Sequence, residues 1–555
     1  MNAGPHSLRK FRVGLAGLGL LFVALQLPLT LQFGANAEEV IPLLEYPPVQ
    51  FDPDASEPPV STRGVRRSDS LPVWSWVGSD GRMTPWMVDG HVGGLSFVGA
   101  RGLAQMGGLS AARLHSTLLG LLGLWAIALL ASRLAGPSAG LLAAAIALLS
   151  TQYLFTFLMV RPDEQLDSLG LLWAVLAFLR HHDTGRTRWF LLGCLLVGVA
   201  LMAKNTAIWP LAGAVTSALA FGYRPRVSWR GALAGAALAA LPLVPQLAYV
   251  LSAEGGGAFA ARLDMISAPW VGLSPSHLFF SLQHFEESFG HMGSMVAAYS
   301  QGSVMGPLIP GVGYALLALV ALTIFTAFSS TAPRPIRAFG LALGLTLLLY
   351  WMLYYRGASY YLLLAPWIPI ALALALVQLW RRGPGRSRDL LMALVGVLAV
   401  NSVAEHIRLY EAVQAPEKAM FAGEAQRSAA HWLQDHADTT PYTTTYAMVG
   451  VMDVLSEGAV RTRSVWPYFH QAGAPPAVFT QAWHRVFARL GPGHHRFLLS
   501  PHPSPVETSE GMDGRWIDAQ LEAAVSAAGH QLRVESSWPA PSGDTMLRVV
   551  TVEID

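Results

Sequence analysis

The sequence predicts a polytopic α-helical membrane protein of about eleven spans, with interfacial helices in its first outer loop and a soluble α/β domain at its C-terminus. Three observations point there. The 555 residues are 53% hydrophobic and only 13% charged, with a mean hydropathy of +0.40, whereas soluble domains carry about 25% charged residues. The apolar residues fall into long runs, with arginines gathered in alternate connections. After about residue 404 the chain turns polar and mixed. A net charge of +2 gives no reason to expect nucleic acid as a partner, and the single cysteine, Cys194, excludes an intrachain disulfide.

The first run, Arg12 to Phe33, is long enough for one span and follows Arg9 and Lys10. Ala35-Asn36-Ala37 resembles a leader cleavage site, but the length of the run and the spans that follow favour an uncleaved anchor. Residues 34–110 are polar and proline-rich, with one apolar patch, Pro85 to Met106, broken by Asp89, His91, Arg101 and several glycines. It is too interrupted to span and reads as helices lying at the interface. Ten further spans are expected at 115–134, 138–160, 167–180, 189–203, 205–222, 231–250, 307–329, 338–354, 360–379 and 389–403. The fifth and sixth spans are separated only by Lys204-Asn205.

The loop charges set the orientation. With a cytoplasmic N-terminus, the cytoplasmic connections hold Arg133; Arg180, Arg186 and Arg188; Arg224, Arg226 and Arg230; Arg334 and Arg337; and Arg381, Arg382, Arg386 and Arg388. The other side holds Arg161, Lys204 and Arg356 in short loops, and Arg262 in the long loop 251–306. The positive-inside rule therefore places the C-terminus outside the cytoplasm. The expected division is 1–403 for the membrane domain and 404–555 for an extracytoplasmic α/β domain, with helices at 423–435 and 475–489 and strands at 443–452, 495–500, 531–537 and 545–553.

On this topology charged groups distant in sequence share one side and one depth: Glu38 and Glu39 after the first span, Asp163 and Glu164 after the third, Lys204 between the fifth and sixth, and Arg356 after the ninth. Ionisable groups at the edge of hydrocarbon are costly and default to a functional reading. Lys204 stands out in a chain with only two other lysines, Lys10 and Lys418. Each residue also has a plainer role open to it. Glu38 and Glu39 would be solvated residues after a helix end. Asp163 and Glu164 would be first-turn acids behind Pro162, Lys204 a snorkelling cation, and Arg356 an anchor among Tyr354, Tyr355, Tyr360 and Tyr361.

Three motifs carry a resemblance. Ala111-Ala112-Arg113-Leu114-His115-Ser116-Thr117-Leu118-Leu119-Gly120-Leu121-Leu122, then Arg161-Pro162-Asp163, then Gly198-Val199-Ala200-Leu201-Met202-Ala203-Lys204-Asn205 resemble the glycosyltransferase C superfamily. The likeness is to its bacterial branch of protein mannosyltransferase-like and lipid A aminoarabinose transferase-like enzymes, and it covers roughly residues 10–400. It implies transfer of a sugar from a polyprenyl-phosphate donor to a lipid, polysaccharide or protein acceptor on the extracytoplasmic face of a bacterial-type inner membrane. It also implies an acid early in the first outer loop that activates the acceptor, and a second acid after the third span that binds metal or donor. The second maps onto Asp163. For the first, Glu39 is the choice and Glu38 its neighbour, with Asp89 as the competitor, because the usual Asp-Glu pair is absent here. Lys204 and Arg356 would bind the donor phosphate; if a divalent metal, Mg²⁺ or Mn²⁺, takes part, Asp163 and Glu164 offer its ligands, while His284 and His291, further candidates, lack metal-ligand spacing and also read as structural. The glycine- and aromatic-rich loop 251–306 would close over a lipid-linked substrate or pack on the membrane surface. Two other readings of the same residues remain: a transporter or flippase of lipid-linked saccharides, and an inactive homologue that binds envelope partners.

Overall fold

The computed structural model describes residues 5–32, 43, 49–50, 64–68, 71–77, 83–88, 92–251, 312–352, 364–382, 385–414, 423–436, 440–444, 451–456, 459–465, 476–499, 514–539 and 545–554. The structure is that of a helical membrane protein. Helices occupy the expected apolar runs: α1 (Pro5–Gln32), α2 (Val98–Ala135), α3 (Pro137–Leu149), α4 (Thr151–Thr156), α5 (Pro162–Thr184), α6 (Thr187–Ala203), α7 (Ile208–Ala220), α8 (Trp229–Ala240), α9 (Val244–Val250), α10 (Val312–Phe325), α11 (Arg334–Met352), α12 (Trp367–Arg382) and α13 (Gly385–Gln414). Among the described residues, three helical stretches are long and apolar enough to cross a bilayer unaided: Leu8–Pro28, Gly94–Ala135 and Trp229–Ala248. A common core runs from Phe22, Ile127 and Leu130 to Tyr153, Phe157, Leu172, Val320, Leu364 and Ile370.

The breaks between helices have local causes. Gly136 (φ 101°) turns the chain between α2 and α3, and Pro137 starts α3 without a lost hydrogen bond. Ser150 caps α4 by accepting from the Tyr153 N–H at 3.2 Å. The expected span 138–160 is thus two helices and a turn. Gln26 donates to the Leu154 carbonyl at 2.7 Å, fixing α1 against that turn.

The first loop differs from expectation. Residues 64–93 form a four-stranded antiparallel sheet in the order β2-β3-β4-β5, with β2 Gly64–Ser68, β3 Leu71–Val77, β4 Met83–Val88 and β5 Val92–Gly93. The first part of the patch expected as interfacial helix, from Pro85, is therefore strand. Pro85 contributes to this, because in a helix interior it removes a hydrogen bond and crowds the preceding turn. In the sheet it pairs with Ser75 beside a register shift, where a missing N–H is tolerated. The second part is helical, but it is the start of α2. Gly107 (φ −162°, ψ 31°) and Gly108 (φ 65°, ψ −160°) break α2 between this stretch and the apolar remainder.

Beyond α13, which ends ten residues past position 404, lie α14 (Gly423–Asp435), β6 (Tyr442–Thr443), α15 (Val451–Leu455), β7 (Arg463–Ser464), α16 (Pro476–Leu490), β8 (Gly493–Leu499), α17 (Gly514–Ala527), β9 (Gln531–Pro539) and β10 (Thr545–Ile554). A strand expected over 443–452 is instead β6 followed, after residues outside the described set, by α15. The sheet has the order β1-β7-β6-β8-β10-β9. Its first strand, β1 (Val49–Gln50), comes from the first loop and pairs parallel with β7. Trp483, Phe487, Phe497, Leu521 and Val550 fill the core beneath its helices.

Candidate active site

The site is built at the start of α5. Arg161 has a non-helical backbone (φ −122°, ψ 60°), and Pro162 opens the helix with Asp163 and Glu164 in its first turn, where the helix dipole favours acids. Gln165 donates to the carbonyls of Thr156 and Met159 at 2.7 and 2.8 Å. It thereby fixes the turn that delivers Arg161.

Lys204 arrives from the other side. Helix α6 stops at Ala203, Lys204 is extended (φ −152°, ψ 129°), and a short 3-10 turn leads into α7. Lys204 reaches α5 because the two helices lie very close: a Cβ on Gly170 would sit 2.9 Å from the Leu196 carbonyl oxygen and 3.0 Å from the Ala200 methyl. Glu164 Oε1 then accepts from Lys204 Nζ at 2.9 Å and from Arg161 Nη2 at 2.8 Å. Arg161 Nε also donates to Asp163 Oδ1 at 3.4 Å. Asp163, Glu164 and Lys204 are 2%, 4% and 6% exposed. Charges this far from water persist only when paired and hydrogen-bonded, and here one carboxylate oxygen organises two cations.

Asp167, one turn further along α5 on the same face, is buried, and neither of its carboxylate oxygens has a hydrogen-bond partner among the described residues. In the sequence Asp167 is the third carboxylate of the charged run Val160–Asp167, and its spacing from Asp163 behind a helix-starting proline sets it on this face.

A second layer ties the first loop to Lys204. Gln246 on α9 donates to the Met202 carbonyl at 2.6 Å, and Gly93 lies so close that a Cβ there would overlap the Met202 carbonyl oxygen and approach Gln246 Nε2 to 2.9 Å. Ser96 donates to the Gly93 carbonyl at 2.7 Å. On α2, Arg113 is buried and donates to the Thr30 carbonyl at the end of α1 at 3.4 Å. Sequence reasoning singled out neither Gly93 nor Gln246, because a glycine required by backbone approach and a glutamine spanning two helices have no local signature.

Of the residues expected at the site, Asp163, Glu164 and Lys204 come together. Glu38, Glu39, Asp89, Arg356, His284 and His291 lie outside the described residues, as does the loop from 252 to 311. Among the described residues no group of three or more His, Cys, Asp or Glu is arranged to hold a metal ion, and Glu164 Oε1 already serves two cations. A Mg²⁺ or Mn²⁺ site on Asp163 would draw its further ligands from outside this set, and no step below is routed through one.

Residues 103–249, which contain Arg113, the Asp163 turn and Lys204, match the family model of dolichyl-phosphate-mannose-protein mannosyltransferases. The whole chain superposes on ArnT from Cupriavidus metallidurans bound to undecaprenyl phosphate, at 13% identity and a TM-score of 0.55, covering 99% of this chain and 98% of that one. The chain has the glycosyltransferase C fold. The apo form of the same ArnT matches at 14% identity and a TM-score of 0.51, over 97% and 98% of the two chains. The archaeal oligosaccharyltransferase AglB from Archaeoglobus fulgidus, in complex with an inhibitory peptide and a dolichol-phosphate, aligns at 13% identity and a TM-score of 0.47, over 97% of this chain and 74% of that one. No curated protein matches the sequence. In this glycosyltransferase C fold the Arg161-Glu164-Lys204 group lies inside the segment that the family model matches.

Proposed function

We propose that the chain is an integral membrane glycosyltransferase that moves a sugar from a polyprenyl-phosphate donor to an acceptor on the extracytoplasmic face. In this reading eleven spans cross the membrane, the N-terminus is cytoplasmic and the C-terminal domain lies outside. The observation that carries the proposal is the buried group in which Glu164 holds Arg161 and Lys204 beside Asp163. A buried Lys204 beside a part-buried Arg161 offers positive charge of the kind that a departing phosphate needs. As the C–O bond to the leaving group breaks, negative charge grows on the phosphate oxygens, and fixed cations in a dry site stabilise it strongly. Lys204 supplies a point charge and Arg356 a forked donor. On the acceptor side, Glu39 or Glu38 takes the proton of the attacking hydroxyl as the new glycosidic bond forms, with Asp89 as the alternative base. Asp163 orients the donor from the first turn of α5. The acceptor is a lipid, polysaccharide or protein, and the sugar is a hexose or pentose.

The test is direct. Purified protein in proteoliposomes is given labelled undecaprenyl-phosphate sugars with candidate acceptors, alongside Asp163→Asn and Glu39→Gln. Transfer that depends on both carboxylates supports the reading. Movement of donor across the bilayer with no transfer in any mixture would replace it with a transporter.

A further inference from the structure

The end of the bundle opposite Asp163 carries a different chemistry. Helix α5 closes on Gly185 (φ 66°), whose N–H reaches the His181 carbonyl, and α6 begins two residues later at Thr187. Residues 221–228 join α7 to α8 on the same side. The two turns lie against each other: the His182 and Tyr223 rings are 5.1 Å apart, and a Cβ on Gly231 would sit 3.5 Å from the Thr187 methyl. Together they bring Arg180, Arg186, Arg188, Arg224, Arg226 and Arg230 to one end of the bundle, all exposed. The acid of these turns, Asp183, is taken by Arg133 at the end of α2, which leaves the charge of the six uncompensated within them. Neighbouring arginines are committed to the fold instead. Arg334 donates from Nε to the Phe221 carbonyl at 2.6 Å and lies 4.9 Å over the Tyr223 ring, and Arg337 donates to the Ala327 carbonyl at 3.1 Å. Directly beside the exposed charges is apolar surface. Arg188 stacks 5.4 Å over Trp189 and Arg230 5.5 Å over Trp229. Trp229 is 72% exposed, and Leu233, one turn further along the same face of α8, is 64% exposed.

We infer that this surface binds an anionic phospholipid, its phosphate held among Arg224, Arg226 and Arg230 and its acyl chains lying along Trp229 and Leu233. Guanidinium groups fit phosphate oxygens as forked donors, and basic surfaces at the ends of membrane helices attract anionic headgroups. A free phosphate would satisfy the arginines but has no use for an exposed tryptophan and leucine beneath them; a lipid uses both. Orientation in the membrane needs only positive charge within a connection. It does not need two connections packed side by side with their arginines exposed above an apolar face. The inference is independent of the glycosyltransferase reading, and under the proposed orientation the lipid belongs to the cytoplasmic leaflet.

Thermal melts of the full-length protein in detergent test it, with titrations of phosphatidylglycerol, phosphatidylcholine and inorganic phosphate at matched ionic strength. Phosphatidylglycerol should raise the melting temperature saturably, and the other two should not. The triple variant Arg224→Gln, Arg226→Gln, Arg230→Gln should need about tenfold more phosphatidylglycerol for half-saturation, or more. Its lipid-free melting temperature should stay close to wild type, because the three side chains are exposed. Should it fall instead, Arg226→Gln alone decides by the same half-saturation reading. Arg388→Gln removes an exposed arginine elsewhere, stacked 5.4 Å over Trp380, and should leave the half-saturation unchanged. Equal stabilisation by phosphatidylcholine, or wild-type half-saturation in the triple variant, overturns the inference. So does an equal shift with inorganic phosphate, which would mark a plain anion site, or a loss in Arg388→Gln as large as in the triple variant, which would mark diffuse attraction.

Discussion

Replacing Glu164 by glutamine should have two effects of opposite sign. Glu164 Oε1 is the shared acceptor for Arg161 at 2.8 Å and Lys204 at 2.9 Å, and the glutamate is 4% exposed. Removing one member of a buried charge group costs about 3–5 kcal/mol because the remaining charge is stranded. Glutamine keeps a carbonyl oxygen as acceptor, and Arg161 keeps Asp163 at 3.4 Å, so the lower end, about 3 kcal/mol, applies. The unliganded Glu164→Gln protein should therefore melt several degrees below wild type. In the proposed reading a donor phosphate would compete with Glu164 for Lys204. Without the carboxylate, undecaprenyl phosphate should bind about tenfold more tightly, which is ~1.4 kcal/mol, and its stabilising effect in a melt should grow accordingly. Thermal melts in detergent over a titration of undecaprenyl phosphate read both effects. If Glu164 were instead a metal ligand needed for donor binding, the variant would bind the lipid phosphate more weakly. That outcome, or an unchanged melting temperature, would refute the reasoning.

Asp163→Asn preserves shape in a site that is 2% exposed but removes the charge, and turnover should fall by about a hundredfold or more; a rate within twofold of wild type excludes Asp163 from the chemistry. Asp167→Asn should leave stability unchanged or raised, because neither carboxylate oxygen has a partner to lose. A melting temperature well below wild type would reveal a partner for Asp167 outside the described residues. Gly93→Val places a side chain on the Met202 carbonyl and on Gln246, and overpacking there should cost about 2 kcal/mol and speed proteolytic cleavage of the first loop; wild-type proteolysis would show the approach to be loose. In the C-terminal domain, burial pushes the Asp453 carboxyl up from 3.8 to about 6, against the pull of the Thr462 hydrogen bonds. Because its pKa is raised on folding, this group stabilises fully below about pH 4, and that stability is lost as pH rises through about 6, in all about 3 kcal/mol. Melts at pH 5 and pH 8 should differ more for wild type than for Asp453→Asn, and parallel shifts would contradict the assignment.

What could be read from the sequence follows the range of the interactions. Pro162 with Asp163 and Glu164 is legible because a proline-initiated helix with acids in its first turn is a local event, and Lys204 is legible because so few lysines occur. That Glu164 accepts from Lys204 is not legible, since it depends on Gly170 letting α5 lie against Leu196 and Ala200. The first loop was misread for a related reason. Pro85 to Met106 has enough apolar residues for interfacial helices, and Pro85 together with pairing to β3 decides in favour of strand for its first part.

The boundary at 404 is the most instructive case. Composition changes there, so a soluble domain of 404–555 is the natural reading, yet the domain's sheet takes its first strand from Val49–Gln50, and part of its apolar face is covered by Leu43, Ala100 and Val160. Two residues of parallel strand carry no sequence signature. If the region after 404 selects the acceptor, a truncation there does more than remove that selection: it unpairs β1 and exposes the cluster that includes Val160. Loss of activity on truncation consequently does not establish acceptor selection. Selection by the domain requires a variant on its surface, away from this cluster, that changes which acceptor is used while the hydrogen exchange of residues 157–166 stays as in wild type.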